Sequence, residues 1–169
     1  DRIAQQPLAE RSAARLLVQR PHGDRPAHHH VRDLPQLLAP GDLVVVNDTR
    51  VLPARIELRK PTGGAAEVLL LANRGDGWWE ALVRPSRSLA PGVRLVPESG
   101  EPPGTFEVEV GDDLGEGRRL VRMHSDAPVL DVLEALGRMP LPPYIPAELA
   151  DPERYQTVYA RHPGSAAAP

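Results

Sequence analysis

Asn47, Asp48, Thr49 and Arg50 place a carboxamide, a carboxylate, a hydroxyl and a guanidinium in one short stretch. Such a set can orient hydroxyl-bearing substrates or take a proton. It follows an apolar, β-branched run at 43–46, entered from a Pro40-Gly41 turn, which reads as a strand buried on both faces. Open α/β sheets grip ligands at the carboxyl ends of such strands, so the cluster is a candidate site. The same four residues equally suit an Asx or Ser/Thr turn that satisfies only its own backbone. A second chemical stretch is Arg84-Pro85-Ser86-Arg87, where two cations flank a hydroxyl at a strand end and the proline stiffens the backbone for phosphate. Exposed surface arginines are the alternative there. Arg50, Arg55, Arg59 and Lys60 make a further basic run.

The elements that must position these groups follow from the pattern along the chain. Residues 15–19 read as a strand, 21–26 as a turn, and His28, His29, His30 and Val31 as extended chain. Successive strand residues face opposite sides, so at most two of the histidines can converge on one metal, and no metal site is expected. Asp33 is placed to cap a short helix at 34–38 with Pro35 in its first turn. Six β-prone runs follow at 56–58, 67–71, 78–83, 93–96, 105–110 and 120–124, separated by Gly, Pro and Asp turns, which predicts an antiparallel barrel or sandwich. Residues 111–117 read as a hairpin loop, and the Gly-Asp-Gly and Gly-Glu-Gly triplets as turn glycines rather than phosphate cradles. Asp126 is expected to cap a helix over 126–137 with Val129, Leu130, Leu133 and Leu136 on one stripe. The four prolines of 139–146 make a rigid connector that fixes Tyr144, and 151–160 begins helically with Asp151 as cap and Pro152 first.

Composition narrows the classes. The 169 residues are 41% apolar and 25% charged, ordinary for globular protein, and with one Phe among six aromatics the core must be built from Leu, Val and Ala. The length suits one good core or two small ones. There is no cysteine, which excludes disulfides, thiolate metal sites and cysteine nucleophiles. No apolar run approaches a bilayer span and the amino end lacks a signal-peptide pattern, so a soluble, cytoplasmic protein is expected. A net charge of -3 argues against indiscriminate coating of nucleic acid but leaves room for a local basic site.

The series of motifs resembles one family. Asn47-Asp48-Thr49-Arg50-Val51-Leu52-Pro53-Ala54-Arg55 comes first. Gly63-Gly64 before Glu67-Val68-Leu69-Leu70-Leu71, Trp79-Glu80-Ala81-Leu82-Val83-Arg84-Pro85-Ser86-Arg87 and Pro91-Gly92 follow. Leu141-Pro142-Pro143-Tyr144-Ile145, Arg154-Tyr155-Gln156-Thr157-Val158-Tyr159-Ala160 and Pro163-Gly164-Ser165-Ala166-Ala167-Ala168-Pro169 complete the order. Together they resemble the amino-terminal half of the S-adenosylmethionine:tRNA ribosyltransferase-isomerases of queuosine biosynthesis.

That resemblance implies an α/β domain (1–55 and 127–169) interrupted by a six-stranded antiparallel β-barrel at 56–126. It implies S-adenosylmethionine as ribosyl donor, no metal, and as acceptor a tRNA with a GUN anticodon carrying 7-aminomethyl-7-deazaguanine. The product would be epoxyqueuosine, with release of adenine and methionine. The sulfonium acidifies the C5′ hydrogens, so the site needs a nearby base and groups that tolerate positive sulfur. Asp48 is the expected base or ribose acceptor, with Asn47 and Thr49 as positioners. Tyr144, Tyr155 and Tyr159 offer stacking faces or core packing, Gln156 could read a base edge, and Gly164 with Ser165 could hold a carboxylate or phosphate. Arg50, Arg55, Arg84, Ser86 and Arg87 are the expected RNA contacts. Ser88, Ala90 and Ala65 stand where the family commonly carries cations, which weakens the RNA-binding case. Family members run to about twice this length, so these residues alone are expected to have little or no activity; the protein is expected to be a monomer. The rival readings are a noncatalytic RNA-binding module and an S-adenosylmethionine enzyme with a small-molecule acceptor.

Overall fold

The computed structural model describes residues 4–21, 23, 25–145 and 150–164. In chain order it contains β1 (Arg15–Val18), β2 (Ala27–His30), α1 (Leu34–Leu37), β3 (Thr49–Val51), β4 (Arg55–Arg59), β5 (Ala65–Gly75) and β6 (Trp78–Arg84). Then come β7 (Arg94–Pro97), β8 (Phe106–Gly115), β9 (Arg118–Ser125), α2 (Val129–Leu136), β10 (Gly137–Arg138) and β11 (His162–Gly164). Packing divides the chain into one unit of Asp1–Val46 with Pro143–Arg154 and another of Asn47–Pro142 with Tyr155–Pro169.

In the second unit the period-two pattern does what alternation requires. Ile56, Leu58, Val68, Leu70, Ala81, Val83, Val108, Val110 and Val121 all point inward and are buried, while most of their strand neighbours are more exposed. Burying each large apolar side chain is worth about 1.5–3 kcal/mol. The strands pair antiparallel in the order β4, β5, β6, β9, β8, β7, and β7 returns to β4 through Leu58 opposite Pro97 and Arg59 opposite Val96. The sheet is therefore a closed six-stranded barrel, and closure leaves it no free edge. Two hairpin tips, Asp76-Gly77 and Glu116-Gly117, have positive φ at both positions (49° and 79°, 56° and 79°), the conformation two-residue hairpins demand.

Several expectations are corrected. Residues 111–115 are not loop but the end of β8, which continues past register shifts between Val110 and Gly115, so that only Glu116-Gly117 turns. An added Cβ at Gly111 would lie 2.8 Å from the Trp78 ring and 3.0 Å from the Leu120 carbonyl, which is why glycine stands at the shift. α2 starts at Val129, and its buried residues are Val132 and Leu133, whereas Leu130 is exposed. The true stripe is 129, 132, 133 and 136, the i, i+3, i+4, i+7 set. Asp126 does not cap α2: its carboxylate accepts from the Thr105 backbone N–H and hydroxyl. Asp33 likewise makes no cap bond to α1, and its Oδ2 instead accepts the His30 N–H at 2.8 Å.

In the first unit β1 and β2 form an antiparallel pair. Asp33 lies within 4.0 Å of both His29 and His30, the carboxylate neighbour that sequence reasoning did not find. Among the described residues no group of three or more His, Cys, Asp or Glu side chains could hold a metal. The run at 43–46 is not a strand, and it is not buried: Leu43 is 88% exposed and Val45 85%. A β-branched run needs strands or helices on both sides to be dry, and no described element covers this one.

Candidate functional site

The polar cluster sits at the entry of β3, not at the exit of an inner strand. β3 pairs parallel with β11, His162 opposite Thr49, Pro163 opposite Arg50 and Gly164 opposite Val51. Asn47 closes an Asx turn, its Oδ1 accepting the Thr49 N–H at 2.8 Å, so the turn reading holds for that side chain. Its backbone carbonyl accepts from Thr157 Oγ1 at 3.0 Å. The Asp48 carbonyl accepts the N–H groups of Arg161 and His162 at 2.7 and 3.2 Å. Its carboxylate Oδ2 lies 3.0 Å from Nδ1 of His162, a partner no sequence signal identified. Both side chains are exposed. With Nδ1 engaged by the carboxylate, the neutral ring leaves Nε2 as its free lone pair.

Gln156 is buried and fixes the other end of β3. Its Oε1 accepts the Val51 N–H and its Nε2 donates to the Val51 carbonyl, both at 2.8 Å. That carboxamide is engaged by the β3 backbone through its oxygen and one N–H. A Cβ at Gly164 would come within 2.7 Å of Thr49 Cγ2, so glycine there permits β11 to approach β3. Ser165 lies outside the described residues.

The basic groups collect elsewhere on the barrel. Arg84 ends β6 on its outward face, and Ser86–Ser88 form a 3-10 turn anchored by buried Leu89. Arg84 and Arg87 are exposed and make no side-chain hydrogen bond or ion pair among the described residues. Lys60, from the β4–β5 turn, donates to Ser88 Oγ at 2.9 Å and so joins them. Behind the turn lies Arg119, 5% exposed, with bonds from Nε to Ser86 Oγ (3.2 Å), Nη2 to Ser86 O (3.1 Å), Nη1 to Gly111 O (3.2 Å) and Nη2 to Asp113 Oδ2 (3.3 Å).

The basic run of 50–60 does not form one patch. Arg55 donates to the Leu141 carbonyl at 3.3 Å and faces Glu67 at 3.9 Å, and Arg59 pairs with Glu98 at 2.7 Å. Arg50 lies within β3, half-buried. The Asp48 segment enters the barrel at the Arg55 end of β4, and Lys60 leaves at the Arg59 end. At about 3.3 Å per residue, about 13 Å of strand lies between those points. Tyr155 is half-buried and Tyr159 exposed. In the first unit Tyr144 is exposed, and its carbonyl accepts from Gln5 at 3.1 Å.

An open cleft of about 500 Å³ lies on the barrel, lined by residues that include Thr105, Arg122, His124 and Asp126. None of the sequence-predicted site residues faces it. Arg122 lies 5.8 Å from the Trp78 ring centroid, within cation–π range, and His124 bonds Glu109 at 2.8 Å. Two carboxyls are held below their ordinary range: Glu80 by the hydrogen bond from Arg74, with Arg118 assisting against burial, and Asp126 by the Thr105 hydroxyl and N–H.

Comparison with known proteins places this geometry in context. A family model described as "Queuosine biosynthesis protein" matches residues 1–169. An S-adenosylmethionine:tRNA ribosyltransferase-isomerase of Rubrobacter xylanophilus is 52% identical over 167 residues, 99% of this chain and 47% of that protein. The protein of the same name from Thermus thermophilus is 47% identical over 173 residues, 100% of this chain and 49% of that one. A solved structure of an S-adenosylmethionine tRNA ribosyltransferase from Thermotoga maritima is 32% identical and covers 72% of this chain and 40% of its own, with a TM-score of 0.36. The chain spans about half the length of the curated relatives it matches. With a match that runs from the first residue to the last, the chain belongs to the queuosine biosynthesis protein family.

Proposed function

We propose that the protein carrying this chain transfers the ribosyl part of S-adenosylmethionine to 7-aminomethyl-7-deazaguanine at the wobble position of a GUN-anticodon tRNA and isomerises it to epoxyqueuosine. Adenine and methionine leave. The observation that carries this reading is identity of about half over the whole chain to proteins named for that activity. In this reading it acts as a cytoplasmic monomer, the barrel is an insert in an α/β domain to which β1, β2, β3 and β11 belong, and no metal takes part.

The reaction asks for a proton acceptor near C5′ of the donor. Asp48 is our candidate for the orienting carboxylate, supported by its 3.0 Å approach to His162, whose Nε2 is left to accept. Asn47 and Thr49 shape the turn that presents it, and the faces of Tyr144, Tyr155 and Tyr159 and the backbone at Gly164 and Ser165 are the proposed cofactor contacts. Arg50, Arg55, Arg84, Ser86 and Arg87 are the proposed RNA contacts.

Steady-state turnover of the full-length protein that carries this chain, read as adenine released with modified tRNA, tests the assignment. Asp48→Asn should lower kcat by about 10²-fold or more, the range of positioned acid–base groups. Arg84→Ala should raise KM for tRNA and leave kcat near wild type. Equal kinetics in both variants would place the site elsewhere.

A further inference from the structure

Arg119 is a charged side chain in a position that the strand pattern reserves for core. On β9 the inward residues are 119, 121 and 123, and Arg119 takes its place among them at 5% exposure. A buried guanidinium is costly unless its donors are met, and here they are met by a particular set of acceptors. Two belong to Ser86, the hydroxyl and the carbonyl; one is the Gly111 carbonyl; one is the Asp113 carboxylate. The Gly111 carbonyl is within reach because β8 breaks register between Val110 and Asp113, and the shift redirects its backbone. Arg119 thus ties the turn after β6 to the irregular end of β8, through a planar fork whose donors point in set directions.

What the turn carries gives this contact a function. Arg84 precedes Ser86 by two residues and Arg87 follows it, both exposed, and Lys60 reaches Ser88 from the neighbouring hairpin. Three cations are therefore held around one short backbone segment, and the segment's carbonyl and hydroxyl are gripped from behind. A flexible turn would have to lose its freedom on meeting a phosphate, at the expense of affinity, whereas a turn already fixed does not.

We propose that Arg119 is the positioning residue of an anion-binding turn, holding Ser86 so that Lys60, Arg84 and Arg87 contact the phosphates of an RNA backbone together. This deepens, and rests on, the proposed RNA contacts of the same turn. Arg119 itself touches no phosphate.

The test measures binding of an anticodon stem-loop RNA to the full chain across a salt series, with hydrogen exchange at residues 86–89. Wild type, Arg84→Ala/Arg87→Ala, Arg119→Lys and Arg119→Met are compared, each well below its unfolding midpoint. Loss of both surface arginines should reduce the log–log salt slope by about 1.4–1.8, two phosphate contacts. Arg119→Met should weaken binding by about tenfold or more and lower the slope by at least about one contact. Arg119→Lys keeps the charge without the fork and should fall between, and exchange at 86–89 should rise in both. Should Arg119→Met fail to fold, Arg119→Lys decides by the same readouts. If Arg84→Ala/Arg87→Ala binds as wild type, the RNA reading of the turn fails and takes this proposal with it. If that variant weakens binding while the Arg119 variants keep the wild-type slope and affinity, only the positioning role is overturned, even where their unfolding midpoints drop.

Discussion

Gln156→Leu is the substitution that bears most directly on whether β3 is held as described. The side chains are close in size, so the exchange removes the carboxamide and little volume. Val51 is 2% exposed and Gln156 3%, so both backbone groups of Val51 lose their partner in a place water does not reach. Each buried backbone group left unpaired costs about 1–3 kcal/mol, and two give about 2–6 kcal/mol if nothing moves. β3 is short and pairs only with β11 among the described residues, so it can shift to admit water, which caps the loss near 2–4 kcal/mol. At 1.4 kcal/mol per tenfold, amide exchange at Val51 should speed up by about 30- to 700-fold. Trp78 and Trp79 lie on β6, so their fluorescence in a urea titration reports the barrel strands of the same unit. An exchange rate at Val51 within about threefold of wild type would refute the inference that Gln156 holds β3.

Gly137→Ala should destabilise the barrel unit by about 1–3 kcal/mol or more, because an added Cβ would overlap the carbonyls of Pro53 and Leu133; the urea midpoint reports it. Thr105→Val removes the hydroxyl that bonds Asp126. Because that carboxyl is depressed in the folded state, the stability the pair contributes is complete above the ordinary aspartate value of about 3.9 and disappears as pH falls through the lower folded value. The difference between wild type and Thr105→Val in urea titrations should therefore shrink as pH drops below about 4; a difference that does not change with pH refutes it.

The barrel was legible because its β-prone runs are bounded by Gly, Pro and Asp and alternate wherever one face is wet; Phe106-Glu107-Val108-Glu109-Val110 is the clearest case. Its closure was not, because the β4–β7 pairing joins residues about forty apart and leaves no local mark. Gly111, Asp112 and Asp113 carry turn-like chemistry but serve a register shift, so composition misplaced the hairpin tip. The run at 43–46 shows the reverse failure: hydrophobic patterning states what a segment needs and cannot supply the neighbours that would bury it. In the candidate site, Asp48 was visible by type, whereas His162 lies 114 residues on and becomes its partner only through the parallel β3–β11 register. Arg119 read as one more arginine among nineteen, and only its place in the inward phase of β9 distinguishes it.

The same geometry explains why kinetics of the two proposed groups should separate. Asp48 and His162 lie at the start of β3 and β11, whereas Arg84 ends β6 and Arg87 lies in the turn that follows it. A turn that grips RNA backbone away from the reacting base holds ground state and transition state alike, and uniform binding of that kind changes KM without changing kcat. Asp48 and His162 would act where the bond changes occur, and their loss should fall on kcat. If instead Arg84→Ala lowered kcat while KM for tRNA stayed fixed, the cationic turn would have to reach the reacting nucleotide itself, and the division of roles between the two groups would fail.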